Sequence, residues 1–399
     1  MSPTMTQQSP NAQSPVVTFQ GIDVPAEAVR PDAFYALTRR HRFQEFNKAF
    51  AGLGLTDNIE LKKSDIIAGL HVRFSGQVVV TLGGGTAATT RRWPYDLVKA
   101  FRLTANGQSN LINISGLKAK ARAAMAGLDF SDRGVSEQIG AAQVNQGTLA
   151  LASELWGVGS GQAGIAGAPT TYPIELTWDI DIAEDERDLA GAIFAQTSTM
   201  DITLAVDYES AANLFALTGA ATAVLTGNLI VETEKFSIPV VGGQFVVPNL
   251  SLFHSIIQTR YSQVANGDNE IRIIGQGAGK QLLRLFYQTW NGALPAQLPL
   301  VASATNYGPQ SWRYGTNETP ETYLDGQSMR QMNEREYAVD VGGVWGFLSH
   351  EFAVIAAFRD TVDMGQTSEL RIVVNIPSGL ALVSPAIEYV QEVIFAAGS

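Results

Sequence analysis

The chain has 399 residues, of which 45% are apolar and 16% charged, a composition typical of a folded protein of about two domains. A formal net charge of −11 excludes a general nucleic-acid binder, because such proteins neutralise phosphates with a basic face; we expect no sequence-specific nucleic-acid partner. Cysteine is absent, which excludes disulfides and thiolate metal sites, and no motif in the chain predicts a cofactor or a metal site.

The first 55 residues are predicted to form an N-terminal arm and a basic amphipathic helix. Residues 1–30 are polar, typical of an extended arm, and lack the charged and apolar regions of a secretory signal. In residues 31–53, apolar residues recur at spacings of three, four or six, which predicts one face of a helix that ends at Gly52 and Gly54: Phe34, Leu37, Phe43, Phe46 and Phe50. Nowhere does an apolar run reach the about 18 residues of a membrane span, so we expect a soluble protein or a part of a larger assembly.

The predicted helix carries basic and aromatic side chains on different faces. This pattern suits an anionic membrane surface or the groove of a partner. The alternative is a helix packed beneath the strands that follow, with its arginines in water. The candidate contacts with a membrane or an inner face are Arg39, Arg40, Arg42, Phe43, Phe46 and Lys48.

From residue 56 to 238 the hydrophobic period changes to two, which predicts short strands separated by Gly, Asn and Asp turns. A helix is predicted in "SGLKAKARAAMAGL" (115–128), and a second, short helix in "LAGAIFA" (189–195). The run "DIDIAEDERD" (179–188) lacks the glycine of a calcium loop, so we interpret it as a solvated acidic turn.

Residues 239–250, with prolines near both ends and a glycine pair, are predicted to be a linker. Residues 251–399 then repeat the order of strands, helix and strands, with the helix in "DGQSMRQMNEREYA" (325–338). About eight short strands in each half favour Greek-key pairing. The predicted fold is all-β: two eight-stranded jelly rolls in tandem, 56–238 and 251–399, with the N-terminal helix and short inserted helices.

Three glycine clusters resemble phosphate-binding loops, but each lacks the required context. "GSGQAG" (159–164) is followed by a strand, and "EIRIIGQGAGKQ" (270–281) lacks both the first glycine and the Ser/Thr of a P-loop. "GGGTAATTRR" (83–92) has no lysine, and Pro94 stands where a phosphate-binding helix would begin. We interpret this last cluster as a connecting loop. The candidates on its flank for a contact between neighbouring subunits, or with the end of their own roll, are Arg91, Arg92 and Trp93.

No motif predicts an enzyme. The chain has no G-x-S-x-G elbow and no H-E-x-x-H, and its sequence does not select a pair of carboxylates for glycoside hydrolysis. His71, His254 and His350 lie within strand patterns, where we expect hydrogen-bonded structural histidines.

The order of elements resembles that of the double jelly-roll major capsid proteins of tailless icosahedral viruses with an internal membrane, most closely those of tectivirus-like phages. The segments that carry the resemblance are "WPYDLVKAFRLTANGQSNLINISG", "DLAGAIFAQTSTMDITLAVDYESAANLF" and "ATAVLTGNLIVETEKFSIP". The resemblance implies a pseudo-hexameric homotrimer without catalytic activity that tiles an icosahedral shell over a membrane. Its implied partners are neighbouring trimers, vertex and minor capsid proteins and the internal membrane, and its implied places are the virion capsid and, during assembly, the host cytoplasm.

Two alternatives belong to other functional classes. Jelly rolls also host sugar sites, so a two-module carbohydrate-binding protein or glycosidase would place exposed aromatics on a concave face, with Trp290, Trp312 and Trp345 as candidates. A trimeric phage spike would also form trimers but would build no shell.

Overall fold

The computed structural model describes residues 16–19, 22–25, 31–89, 93–105, 108–126, 170–184, 189–196, 201–241, 243–248, 250, 252–273, 280–293, 297–314, 318–352, 361–363 and 370–396. Within these ranges, none of the helices combines the length and the apolar character needed to cross a membrane.

The helices are short, and most of the described secondary structure consists of strands. The helices are α1 (Pro31–Leu37), α2 (Gly116–Met125), α3 (Ala211–Leu214), α4 (Gly326–Tyr337) and α5 (Val341–Trp345), and a 3₁₀ turn spans Tyr95–Leu97. α2 and α4 confirm the helices predicted at 115–128 and 325–338, and the predicted all-β class is confirmed.

The first half of the chain forms an antiparallel sandwich. After a small hairpin of β1 (Val16–Phe19) and β2 (Ile22–Pro25), its strands are β3 (Arg40–Ala49), β4 (Thr56–Glu60), β5 (Ile66–Thr81), β6 (Thr86–Thr89), β7 (Val98–Ala105), β8 (Gln108–Ile114), β9 (Thr170–Asp181), β10 (Ile193–Phe194), β11 (Ile202–Tyr208), β12 (Phe215–Thr218) and β13 (Thr222–Phe236). One sheet has the order β10-β5-β13-β3 with β9 also on β5, and the facing strands have the order β8-β7-β11-β4. Apolar side chains of both sheets share one core.

The second half forms another sandwich. Its elements are β14 (Val240–Val241), β15 (Gln244–Phe245), β16 (Leu252–Tyr261), β17 (Gly267–Ile273), β18 (Lys280–Asn291), β19 (Leu298–Pro299), β20 (Gln310–Tyr314), β21 (Glu321–Tyr323), β22 (Phe347–Glu351), β23 (Val362–Asp363), β24 (Leu370–Ile376) and β25 (Ala386–Ala396). β17-β24-β20-β21 form one sheet, and β18, β25 and β16 form the centre of the other. The segment 239–250 contains the β14–β15 hairpin, and the domain boundaries proposed from the sequence stay a prediction.

The two sandwiches are joined at one sheet. β16 of the second half pairs in parallel with β8 of the first, through Ile256 opposite Ile112 and Ile257 opposite Asn113. The core of the first sandwich also includes apolar residues of β18, β22 and β25. The interior is therefore continuous from one half of the chain to the other.

The predicted helix over residues 31–53 is wrong for most of its length. Only α1 is helical, and Arg40–Ala49 is strand β3, the edge partner of β13. The register shifts between Val231 and Glu232, so that they face Phe46 and Gln44 and leave Glu45 as a bulged residue. Phe43 and Phe46 lie three positions apart on either side of this bulge, a spacing that imitates a helix in a strand.

The short helix predicted at 189–195 is also wrong. Leu189 and Gly191 have positive φ angles of 54° and 88°, which no right-handed helix contains, and Ile193 and Phe194 pair with β5. Leu189 is buried beside α1, so the apolar character of this segment serves the core and not a helix.

Candidate functional site

Helix α2 lies where the two sandwiches meet. Ser115 caps its first turn by accepting a hydrogen bond from the backbone N–H of Lys118, and the alanines that follow favour a helix. All ten of its residues are buried, which is unusual for a helix with three basic side chains. At its start, Trp178 Nε1 donates to the Gly116 carbonyl over 3.0 Å, which fixes the helix against β9.

Lys118 is paired across the junction with a carboxylate of the second sandwich. Its ammonium contacts Glu388 of β25, and both side chains are buried. Glu388 also accepts from Arg260 over 2.7 Å and from Trp290 Nε1 over 3.1 Å. The Lys118 ammonium lies 5.4 Å from the centre of the Trp290 ring, so the buried charge is enclosed by anion and aromatic face.

Arg122, one turn further along α2, contacts Glu392 of the same strand β25. Arg122 Nε donates to Glu392 Oε1 over 2.9 Å, and one terminal nitrogen lies 3.4 Å from Asp181 of β9. Burial lowers the pKa of Arg122, but the charges of Glu392 and Asp181 outweigh this effect and raise the pKa above its ordinary value. Arg122 therefore stays charged in the interior.

Arg284 of β18 is the centre of this charged cluster. Its nitrogens donate to Glu392 over 2.7 Å, to Glu184 over 2.7 Å and to Glu351 over 2.9 Å. Burial would raise the pKa of Glu392, but Arg122 and Arg284 hold it well below its ordinary value. Burial raises the pKa of Glu351 to about 7 despite Arg284, and the negative charges of Glu392 and Glu184 add to the rise.

His254 of β16 completes the cluster. Its Nδ1 lies 3.2 Å from the Ile182 carbonyl, and its Nε2 points towards Glu184 and Glu392. A methyl group on Gly191 would approach the His254 Cβ to 2.6 Å, so this glycine allows the loop before β10 to pass over the histidine. Glu184, His254 and Glu392 are the described residues whose ligand atoms could hold a metal ion.

The sequence did not indicate this cluster. The described part of the acidic run, 179–184, is not the solvated turn we expected: Asp179 and Asp181 belong to strand β9, and Glu184 points inwards to Arg284 with a side chain only 4% exposed. Residues 185–188 lie outside the described residues. Glu388 and Glu392 lie four residues apart in a strand of otherwise apolar character, which was the available signal. Their partners Lys118 and Arg122 are each 270 positions away, and no local spacing reveals such a pair.

The basic residues predicted to contact a membrane or an inner face lie together on and beside the edge strand β3. Arg39, Arg40 and Arg42 are exposed, and Arg40 and Arg42 lie 2.8 and 3.6 Å from Glu234 of β13. Lys48 is exposed beside the Phe46 ring. The structure thus brings these charges together on a strand instead of on a helix, and their contact role stays a prediction.

Phe43 and the bulged Glu45 of this edge strand both contact the buried Lys235. Glu45 turns inwards, where one oxygen lies 2.9 Å from the Lys235 ammonium and accepts from Thr233 over 2.9 Å. Phe43, 38% exposed, packs over the ammonium groups of Lys62 and Lys235. The bulge therefore supplies the counter-ion of a buried lysine.

Of the connecting loop predicted at 83–92, the glycine triplet forms a turn as expected, whereas Thr86–Thr89 is strand β6. Gly83 and Gly84 have positive φ angles of 52° and 87° in the turn between β5 and β6. Trp93 is 0% exposed and packs on Phe215 of its own sandwich, so the predicted contact between subunits is wrong for this residue and the alternative contact within its own roll agrees with the structure. Arg91 and Arg92 lie outside the described residues.

The tryptophans considered for a sugar site are interior residues. Trp290, Trp312 and Trp345 are 0%, 8% and 1% exposed. Trp312 packs edge-on against Phe352, and its Nε1 donates to Glu321 over 3.1 Å. Stacking on a sugar needs an open aromatic face, which these three residues do not offer.

Solved structures with this architecture define the class of the fold. The MCP of Sulfolobus Turreted Icosahedral Virus (STIV) matches with a TM-score of 0.61 at 13% identity, over 90% of this chain and 97% of that chain. The PBCV-1 virus capsid matches with a TM-score of 0.52 at 11% identity, over 90% and 95% of the chains. The Faustovirus major capsid protein matches with a TM-score of 0.51 at 9% identity, over 90% and 89%.

The chain therefore has a double jelly-roll fold, as predicted from its order of strands. Among such folds it is similar to that of the STIV MCP along nearly the whole length of both chains. No family model and no curated protein matches the sequence itself. The closer resemblance to tectivirus-like phages stays a prediction.

Proposed function

We propose that this protein is a structural major capsid subunit without catalytic activity. The supporting observation is the double jelly-roll fold, shared over 90% of this chain and 97% of the STIV MCP. A match of this extent leaves little of the chain for a separate catalytic module. The capsid, and the host cytoplasm during assembly, are accordingly the proposed locations.

The assembly unit in this proposal is a homotrimer. Two sandwiches lie side by side and share a sheet through the β8–β16 pair, so three subunits present six similar rolls in a pseudo-hexagonal outline. Such units tile a shell with neighbouring trimers and leave vertices for minor proteins. The measurement is the native mass of the purified chain, which should be three times 42.8 kDa.

A monomer that binds or cleaves glycans would contradict the capsid role and favour the carbohydrate alternative. Glycan-array binding and hydrolysis assays on the same preparation decide this point. The buried positions of Trp290, Trp312 and Trp345 support the capsid role. A trimer that forms elongated fibres would instead favour a phage spike.

The inner-face proposal concerns the basic edge formed by Arg39, Arg40 and Arg42. These side chains are exposed directly after α1, where β3 forms the edge of its sheet. Anionic lipid headgroups attract such a cluster with about 1 kcal/mol per residue near the surface. We propose that this edge faces the internal membrane.

Charge reversal at Arg39, Arg40 and Arg42 tests this orientation. The R39E/R40E/R42E variant should keep its trimer mass but co-sediment less with vesicles that contain phosphatidylserine. The matched control R272E/R313E/R371E carries the same change on β17, β20 and β24 of the second sandwich, and should sediment like the wild type. Unchanged sedimentation of the first variant would contradict the membrane contact.

A further inference from the structure

We propose that Glu184, His254 and Glu392 bind one zinc-class divalent cation, which ties the first sandwich to the second. Glu184 follows β9 in the first sandwich, while His254 and Glu392 lie on β16 and β25 of the second. One ligand atom from each residue lies within 4.8 Å of the others. The site depends on the folded chain alone and does not rest on the proposed capsid role.

The histidine is oriented as a ligand. When Nδ1 carries the proton and donates it to the Ile182 carbonyl, 3.2 Å away, the lone pair of Nε2 is directed into the cluster. A carbonyl acceptor behind the ring is the usual outer partner of a metal-bound imidazole. His254 Nε2 and Glu184 Oε2 are both buried without a hydrogen-bond partner, although their side chains are 1% and 4% exposed. Unpaired buried polar atoms of this kind are costly unless something binds them.

The distances suit a small cation. His254 Nε2 lies 3.4 Å from Glu392 Oε2 and 3.7 Å from Glu184 Oε2. In a tetrahedral site with zinc–ligand bonds of about 2.0–2.2 Å, neighbouring ligand atoms are about 3.4 Å apart. One imidazole and two carboxylates are a donor set that zinc accepts, whereas magnesium and calcium prefer oxygen alone.

The charges of the cluster favour a cation. Its carboxylates outnumber its guanidiniums, with Asp181, Glu184 and Glu392 against Arg122 and Arg284. Arg284 also holds the ligands in place. It donates to Glu184 Oε1, which leaves Glu184 Oε2 for the cation, and to Glu392 Oε2, which keeps a second lone pair for the cation. A divalent ion beside Nε2 would neutralise the remaining negative charge and satisfy both unpaired atoms.

Zinc binding to the full-length protein tests the site. Protein stripped with a chelator and dialysed should bind one zinc per chain by calorimetry and elemental analysis. His254→Gln should weaken binding at least as much as the loss of an outer-shell partner, about 10- to 100-fold. His41→Gln is the matched control, since this exposed histidine lies 3.6 Å from Asp65 in the first sandwich, and it should bind like the wild type.

Zinc X-ray absorption of the wild type gives an independent reading, with one imidazole per zinc expected. Absence of zinc binding, an affinity unchanged by His254→Gln, or a spectrum without imidazole would each overturn the proposal. If His254→Gln does not fold, Glu184→Gln and the wild-type spectrum decide the question.

Discussion

Helix α2 and strand β3 are both short basic segments, and the structure treats them in opposite ways. In α2, Lys118 and Arg122 are buried, and each contacts a glutamate of β25. In β3, Arg40 and Arg42 remain half exposed and share Glu234 at the sheet edge. Composition alone therefore does not decide whether a basic side chain is a surface group. Lys118 and Arg122 can be buried because strand β25, in the other half of the chain, supplies a carboxylate for each.

The two segments also differ in what their ion pairs are worth. An exposed pair gains little, because water and salt screen it. A buried pair gives modest net stability compared with apolar packing, but the loss of one partner leaves an uncompensated charge in the interior. We therefore expect substitutions at the junction to be costly and equivalent substitutions at the edge to be mild.

The largest effect is expected for Glu392→Gln. This change removes the charge that Arg122 and Arg284 both contact, and should lower the free energy of unfolding by about 3–5 kcal/mol. Urea unfolding followed by tryptophan fluorescence measures the loss, because several tryptophans are buried in both sandwiches. A loss below about 1 kcal/mol, the range of exposed pairs, would remove the contrast between the two segments.

A smaller loss is expected for Lys118→Met. The substitution removes the buried ammonium, but Glu388 keeps its contacts with Arg260 and Trp290. The expected loss is about 1–3 kcal/mol, below that of a fully unpaired buried charge, because Arg260 still neutralises Glu388. Unfolding in urea with the double variant Lys118→Met/Glu388→Gln shows whether the remaining charge causes the loss. If it does, the double variant should be more stable than the single one.

Glu321 is intermediate in exposure between the two segments, and it should make the stability of the fold depend on pH. The His350 ring lowers the pKa of Glu321 from 4.5 to about 2, and Tyr323 and Trp312 contribute to this decrease. Partial burial acts in the opposite direction but is weaker. A lowered pKa stabilises the fold above pH 4.5, and this contribution is lost as the pH falls from 4.5 through 2. Its side chain is 42% exposed, so the contribution is screened and modest.

Melting temperatures between pH 2 and pH 6 measure this contribution. Glu321→Gln should melt below the wild type at pH 6, and the difference should vanish near pH 2. A constant difference across this range would show that the charge of Glu321 is not its cause.

The smallest effect is expected for Glu234→Gln at the β3 edge. Arg40 and Arg42 lose their shared carboxylate but stay hydrated, so the free energy of unfolding should change by no more than about 1 kcal/mol. The same urea experiment measures it, and the variant serves as the control for Glu392→Gln. A loss equal to that of Glu392→Gln would mean that exposure does not separate the two segments.

Local patterns predicted the elements whose signals are local. The alanines and the cap of α2, the periodicity of α4 and the alternation of the long strands were sufficient for the fold class. β3 was mistaken for a helix because Phe43 and Phe46 are three positions apart in the sequence, and the bulge at Glu45 that lies between them in the strand has no local sequence signal. The charged cluster was missed because its pairs connect residues far apart in the sequence, and Lys118–Glu388, Arg122–Glu392 and Glu184–Arg284 come from opposite halves of the chain. Such contacts depend on the tertiary fold.

Electron microscopy of the concentrated protein, by negative stain with class averaging, tests the central claim most directly. A double jelly-roll capsid subunit should give compact particles of near-hexagonal outline that associate into sheets or shells at high concentration. Monomeric particles without such an outline, or elongated fibres, would contradict the capsid assignment.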